Sequence, residues 1–152
     1  MTAIEALLVD LARALESCEA RIFLLDAQTG RLTQALRPPG ADPIGGFSWK
    51  VGQGVTGWAY DTGDYVLATG SSVHDGTFGV PVEQQDRYRS LTAVAGAPLR
   101  STAGEIIGVL SISSEQETTQ LPTNAGEVEH LVLAECVGFA LDELMGLDPD
   151  VE

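Results

Sequence analysis

Cations, cysteines and aromatics are all scarce in this sequence. Eight basic residues stand against 22 acidic ones, a formal net charge of −14, and Lys50 is the single lysine. Such a potential repels phosphate backbones and anionic lipid surfaces, which argues against direct nucleic-acid or membrane binding. Two cysteines, Cys18 and Cys136, are too few for a disulfide framework or a zinc cluster. They read as small buried apolar residues on the terminal helices. No apolar run approaches the roughly 18 residues of a membrane span. The opening MTAIEALLVDLARALES carries acids where a signal peptide has its basic region, and its apolar residues recur at helical spacing. These absences lead to the expectation of a soluble, cytoplasmic protein.

What remains is ample for one domain. The chain has 152 residues, 44% of them hydrophobic, and a domain of that size buries roughly 68–70% of its unfolded surface. Residues 1–147 are expected to form the domain and 148–152 a short acidic tail. Ile4, Leu7, Leu8, Leu11 and Leu15, behind a Thr2/Glu5 capping box, predict an amphipathic helix over 3–17. EARIFLLDAQTGRLTQAL reads as a β-hairpin turning at AQTG, and the Pro- and Gly-rich RPPGADPIGG as a loop leading to FSWKV. A short helix after Gly57 and a strand ending near Thr69 follow. Residues 70–90 show no periodicity and are expected to be a long loop, the kind of segment that usually carries function. LTAVAGAPL and EIIGVLSISS form a second hairpin, and Asn124 with Glu127 caps a closing helix. Hairpins between terminal helices predict an α+β domain. Its central antiparallel sheet has about five to six strands, with the N- and C-terminal helices on one face. The loops near 40–60 and 70–90, with short helices, then cover a small-molecule pocket on the other.

Between Gly52 and Gly57 the sequence GQGVTG spells G-x-G-x-x-G, the fingerprint of a dinucleotide-binding loop. That fingerprint requires a buried parallel strand before it, a helix of ten or more residues after it and an acid at the end of the next strand. VTGWAYDTG leaves room for about two helical turns, too few for a parallel crossover. The glycines therefore read as geometric: Gly52 and Gly54 for positive φ, Gly57 for close packing of a short helix.

VGQGVTGWAYDTGDYVLAT, a loop containing HDGTF and DRYRSL, then APLR and GEIIGVLSISS, resembles the GAF domain in order and spacing over essentially the whole chain. The resemblance implies a small-molecule-sensing module with a central antiparallel sheet, a ligand pocket on one face, and terminal helices that often pair into a dimeric bundle. Bilin-attaching members carry a pocket cysteine beside a histidine. Here His74 has no neighbouring cysteine. Members that reduce free methionine sulfoxide use cysteines in the pocket loops and strands, and cyclic-nucleotide-binding members carry a late Asn-Lys-Phe-Asp-Glu motif, which is absent.

Candidate ligand-binding residues follow from these placements. Trp49, beside the glycine loop, is either a pocket wall or a core plug. Leu67 and Ala68 end the short strand, where backbone amides can face a ligand or the residues can be plain sheet core. His74 and Asp75 sit in the long loop as a metal pair or, more simply, a turn. Phe78, Tyr88 and Arg89 could enclose an apolar ligand bearing a negative group, with a surface salt bridge as the alternative for Arg89. Thr92 and Ser111 supply hydroxyls if the strand register turns them inward. No catalytic constellation, metal set or cofactor is identified. The expected function is a sensory domain that binds a small molecule under the 70–90 loop and signals through its terminal helices to a homodimer partner or a signalling protein. The alternatives are a free methionine sulfoxide reductase and a ligand-free dimerisation or docking module.

Overall fold

The computed structural model of the chain describes residues 3–15, 18–37, 48–73, 78–81, 85, 89–101, 103–115, 121–130 and 132. Helix α1 (Ala3–Ala14) buries Leu8 and Leu11 with Leu7 beside them, the recurrence expected of an amphipathic helix. It stops short of residue 17. Leu15 still donates to the carbonyl of Leu11, at 3.1 Å, but by Cys18 the chain has entered β1 (Cys18–Asp26), whose pairing with the late hairpin starts at Cys18 and Ser114. Cys18 is therefore a strand residue, which corrects its expected place on the first helix. Cys136 lies outside the described residues.

The first hairpin closes at Gly30, whose φ of 69° lets its N–H reach the carbonyl of Asp26 at 2.8 Å before β2 (Arg31–Leu36). Then come β3 (Ser48–Lys50), α2 (Gly54–Thr62), β4 (Val66–Thr69) and a 3-10 turn at Gly70–Val73. The second hairpin is β5 (Ala93–Arg100) and β6 (Ile106–Ser114). All six strands pair antiparallel in the order β3-β2-β1-β6-β5-β4, so the late hairpin sits between the early hairpin and β4. The α+β architecture expected from sequence is present, with the strand count at the upper end of its range.

Strand alternation gives the sheet two unlike faces. On the helix face, Leu8, Leu11 and Leu15 pack with Ala20, Ala93, Ala95, Ala97, Leu110 and Ile112, and Val128 joins them from the closing helix, which is helical over 125–130. The cap there is as the sequence spaced it: Asn124 Oδ1 accepts the Glu127 N–H at 3.0 Å, and the Glu127 carboxylate accepts the Thr123 N–H at 2.7 Å. The helices thus share one face.

On the opposite face α2 lies across the sheet. Gly96 of β5 lets it in, since a Cβ there would stand 3.0 Å from the Cβ of Ala59 and 3.2 Å from the carbonyl oxygen of Val55. Helix α2 ends at Gly63, whose φ of 72° forms a left-handed cap bonded to Ala59. Arg100 clamps that end, donating to the carbonyls of Gly63 at 3.2 Å and Gly104 at 3.0 Å. Among the described residues no helix is long and apolar enough to cross a membrane.

Candidate functional site

The glycine loop forms no phosphate cradle. Three of its amides are turned inward: Gly52 N–H donates to Gly57 O, Gln53 N–H to Lys50 O and Gly57 N–H to Gln53 O, each at 3.0 Å. The strand before it, β3, is a three-residue antiparallel edge. Helix α2 begins at Gly54, inside the motif. It can begin there because Gly52 and Gly54 take φ of 83° and 68°, and because Gly57 has no Cβ to strike the Lys50 carbonyl.

Two apolar clusters occupy the α2 face at opposite edges of the sheet. Phe23, Leu32 and Trp49 pack beneath Tyr60 and Val80 on the β1-β2-β3 side. Val55, Ala68, Val73 and Val94 pack with Val66, Phe78 and Leu91 on the β4-β5 side. Between them the central strands present polar residues. Register lines up Gly96, Ser111 and Arg21 in one row and Val94, Ser113 and Glu19 in the next. Ser111, Ser113 and Arg21 are each half-buried, although their helix-face neighbours Leu110 and Ile112 are fully buried.

The centre of this floor is a charged pair. Arg21 donates through Nη1 to Oε1 of Gln34 at 2.5 Å, and its Nε and Nη2 both contact Oε1 of Glu19. The Arg21 side chain is only 11% exposed while that of Glu19 is 43% exposed, so the carboxylate is the solvent-facing partner. Guanidinium and carboxylate share the charge in a site that is neutral as a unit.

The expected site residues divide by position. Ala68 and Phe78 belong to the β4-β5 cluster, and Ser111 lies on the polar floor beside it. Phe78 also meets Trp58 of α2 edge to face, ring centroids 5.0 Å apart. Leu67 does not join them: alternation turns it to the helix face, where it packs with the α1 core. Trp49 is 2% exposed and fills the β1-β2-β3 cluster. Thr92 donates its hydroxyl to the Ser114 carbonyl at 3.2 Å, and Arg89 is an exposed turn residue. His74, Asp75 and Tyr88 lie outside the described residues. No group of three or more His, Cys, Asp or Glu side chains has metal-site geometry among the described residues.

Arg21, Glu19, Gln34 and Ser113 were not anticipated from sequence. The signal for Glu19 and Arg21 was present in EARIFLLD, where they alternate with Ala20 and Ile22 and so leave the apolar face together.

Terminal helices on one face of an antiparallel sheet, and α2 with a polar row on the other, define a small α+β module. The chain belongs to the GAF domain family, whose model matches residues 2–137. GAF domains are typically ligand-sensing regulatory modules. Solved structures with a similar fold include the GAF domain of an Acinetobacter phosphoenolpyruvate-protein phosphotransferase, at 16% identity and TM-score 0.64, covering 100% of this chain and 89% of that one. Another is the GAF domain of a two-component sensor histidine kinase from Bacillus halodurans, at 20% identity and TM-score 0.60, covering 94% and 95%. A third is a type II free methionine-R-sulfoxide reductase from Thermoplasma acidophilum, at 17% identity and TM-score 0.60, covering 87% and 84%. No curated protein matches the chain.

Proposed function

We propose that this chain is a sensory domain in signal transduction, binding a small molecule on the α2 face of its sheet and transmitting through its terminal helices. The observation that carries the reading is the half-buried polar floor of Arg21, Ser111 and Ser113 between two packed apolar clusters. Polar groups converging between apolar walls are the usual make-up of a ligand site.

Strand β4 offers a route to the output. Val66 and Ala68 of β4 pack in the β4-β5 cluster, and Tyr65, one residue earlier, packs on the helix face and donates its hydroxyl to the Pro122 carbonyl at 2.5 Å. Ligand-linked movement of β4 therefore bears on the segment that starts the closing helix. The effect would be read as altered dimer geometry or docking of a signalling partner.

Native mass spectrometry of the purified protein, followed by thermal unfolding against a metabolite library, tests this. A ligand at 100 times its dissociation constant adds about 2.7 kcal/mol of stability. No retained mass and no stabilisation across the library would defeat the sensing reading in favour of a docking module.

Reduction of free methionine sulfoxide is a second reading, favoured by the fold shared with the Thermoplasma acidophilum free methionine-R-sulfoxide reductase. Turnover by the parent that vanishes in a Cys18→Ser, Cys136→Ser double variant would support it. An inactive parent would end it.

A further inference from the structure

One stretch of the α2 face is held unlike the rest. Phe78 packs in the β4-β5 cluster and Val80, two residues later, in the β1-β2-β3 cluster. At most about 7 Å of chain therefore joins the two clusters. Phe78 and Val80 are half-buried, and Gly79 between them is exposed. Gly79, Val80 and Pro81 make no backbone–backbone hydrogen bond with any described residue; Gln85 Nε2 donates to the Val80 carbonyl at 3.4 Å. The other covers of this face are tied down, α2 by its left-handed cap and Arg100, the glycine loop by three inward amides. Segments fastened by few buried side chains and few backbone bonds are those that open first.

We infer that residues 78–81 are a strap that closes the α2 face through the side chains of Phe78 and Val80 and opens as a unit while the sheet and α2 stay folded. Opening withdraws one apolar side chain from each cluster and strips Phe78 from the ring of Trp58, so it bares both walls of the face together. Gly79 is where the strap is most easily biased, with φ of 68° and nothing within 4 Å of a Cβ there. Gly30 has the same open space and φ of 69°, but it lies in a hairpin held by its N–H to the Asp26 carbonyl at 2.8 Å and by the β1-β2 ladder. Alanine carries similar backbone strain at both positions. At residue 30 the strain bears on the whole fold, whereas at residue 79 release of the strap relieves it. The global loss at Gly79 is thus capped by what closure contributes.

The test is chymotrypsin digestion of the full chain under native conditions, with the cut after Phe78 located by mass spectrometry. Its rate reads the open fraction when opening and closing outpace cleavage. Rates are normalised to a peptide of residues 74–84 carrying the same substitution. The cut is expected without urea, at a rate that low urea hardly changes. Gly79→Ala is expected to speed it about tenfold with the urea midpoint near the parent's, whereas Gly30→Ala lowers the midpoint and leaves the cut at the parent's rate. Val80→Ala, which removes one anchor, should act in the same direction as Gly79→Ala. The strap is overturned by the absence of a cut below the unfolding transition or by a cut that rises only in step with global unfolding. It is overturned equally by a Gly79→Ala midpoint that falls as far as that of Gly30→Ala without a faster cut. Should Gly30→Ala fail to fold, the urea dependence of the parent's cut and the Gly79→Ala rate decide. None of these outcomes touches the sensing reading, whose test is ligand binding.

Discussion

Gly54 lies so close over the indole of Trp49 that a Cβ at residue 54 would fall 2.5 Å from Cζ3 of the ring. Helix α2 starts at that point, so its position over the sheet depends on a residue without a side chain. Gly30 offers a control, with φ of 69° against 68° at Gly54 but nothing within 4 Å of its missing Cβ. Gly30→Ala is expected to lose about 1–2 kcal/mol from its left-handed backbone alone. Gly54→Ala should lose that and about 1–3 kcal/mol more, because the buried indole must move. Urea denaturation of both variants measures the difference, and equal losses would show that Trp49 does not constrain the helix start.

At Gly57 the obstacle is backbone. A Cβ there meets the Lys50 carbonyl oxygen and stands 3.1 Å from the Gly52 nitrogen, neither of which a rotamer change can relieve. Gly57→Ala is expected to destabilise the domain by about 1–3 kcal/mol even though φ is ordinary and alanine favours helices. A melting temperature at or above the parent's would contradict the close approach of α2 to the loop.

Burial, and secondarily the negative charge of Glu127, pushes the Tyr65 phenol up from 10.0 to about 12. Its neutral form is the one that donates to Pro122. A raised folded-state value means the stabilisation is complete below pH about 10 and is lost as pH rises through about 12. Stability is therefore expected to fall over that window, and Tyr65→Phe should flatten the fall while costing about 0.5–1.5 kcal/mol at neutral pH. Ultraviolet phenolate titration beside alkaline denaturation provides the check; phenolate formation at Tyr65 near pH 10 would refute the assignment.

Trp58 is 39% exposed, yet Phe78 packs against it in a T-shaped pair. A double-mutant cycle of Trp58→Leu and Phe78→Leu is expected to show a coupling of about 0.5–1.5 kcal/mol. Phe78→Leu should also shift tryptophan emission to the red, since Trp49 stays buried and Trp58 loses its cover. An unchanged spectrum together with zero coupling would mean that the ring pair does not join α2 to the segment at Phe78.

Much of this molecule is local in origin and was legible in the chain itself. The turn RSTAG between the apolar runs LTAVAGAPL and EIIGVLSISS, the glycine turn after Asp26, and the Asn124/Glu127 cap each act within a few residues, so local sequence specifies them. The α+β class and the terminal helices follow from those elements. The failure of GQGVTG as a dinucleotide motif was legible too, because the helix after it is short.

Tertiary structure decided the rest, and for one physical reason: which face a strand residue occupies depends on what packs against each side. Leu67 and Ala68 are neighbours in sequence with nothing to separate them, yet one joins the α1 core and the other the cluster with Phe78. Trp49 became a core side chain because α2 presses Gly54 onto it. Arg21 and Glu19 looked like interruptions in an apolar run. Only pairing of β1 with β6 placed them beside Ser111 and Ser113, where two charges and two hydroxyls make a floor.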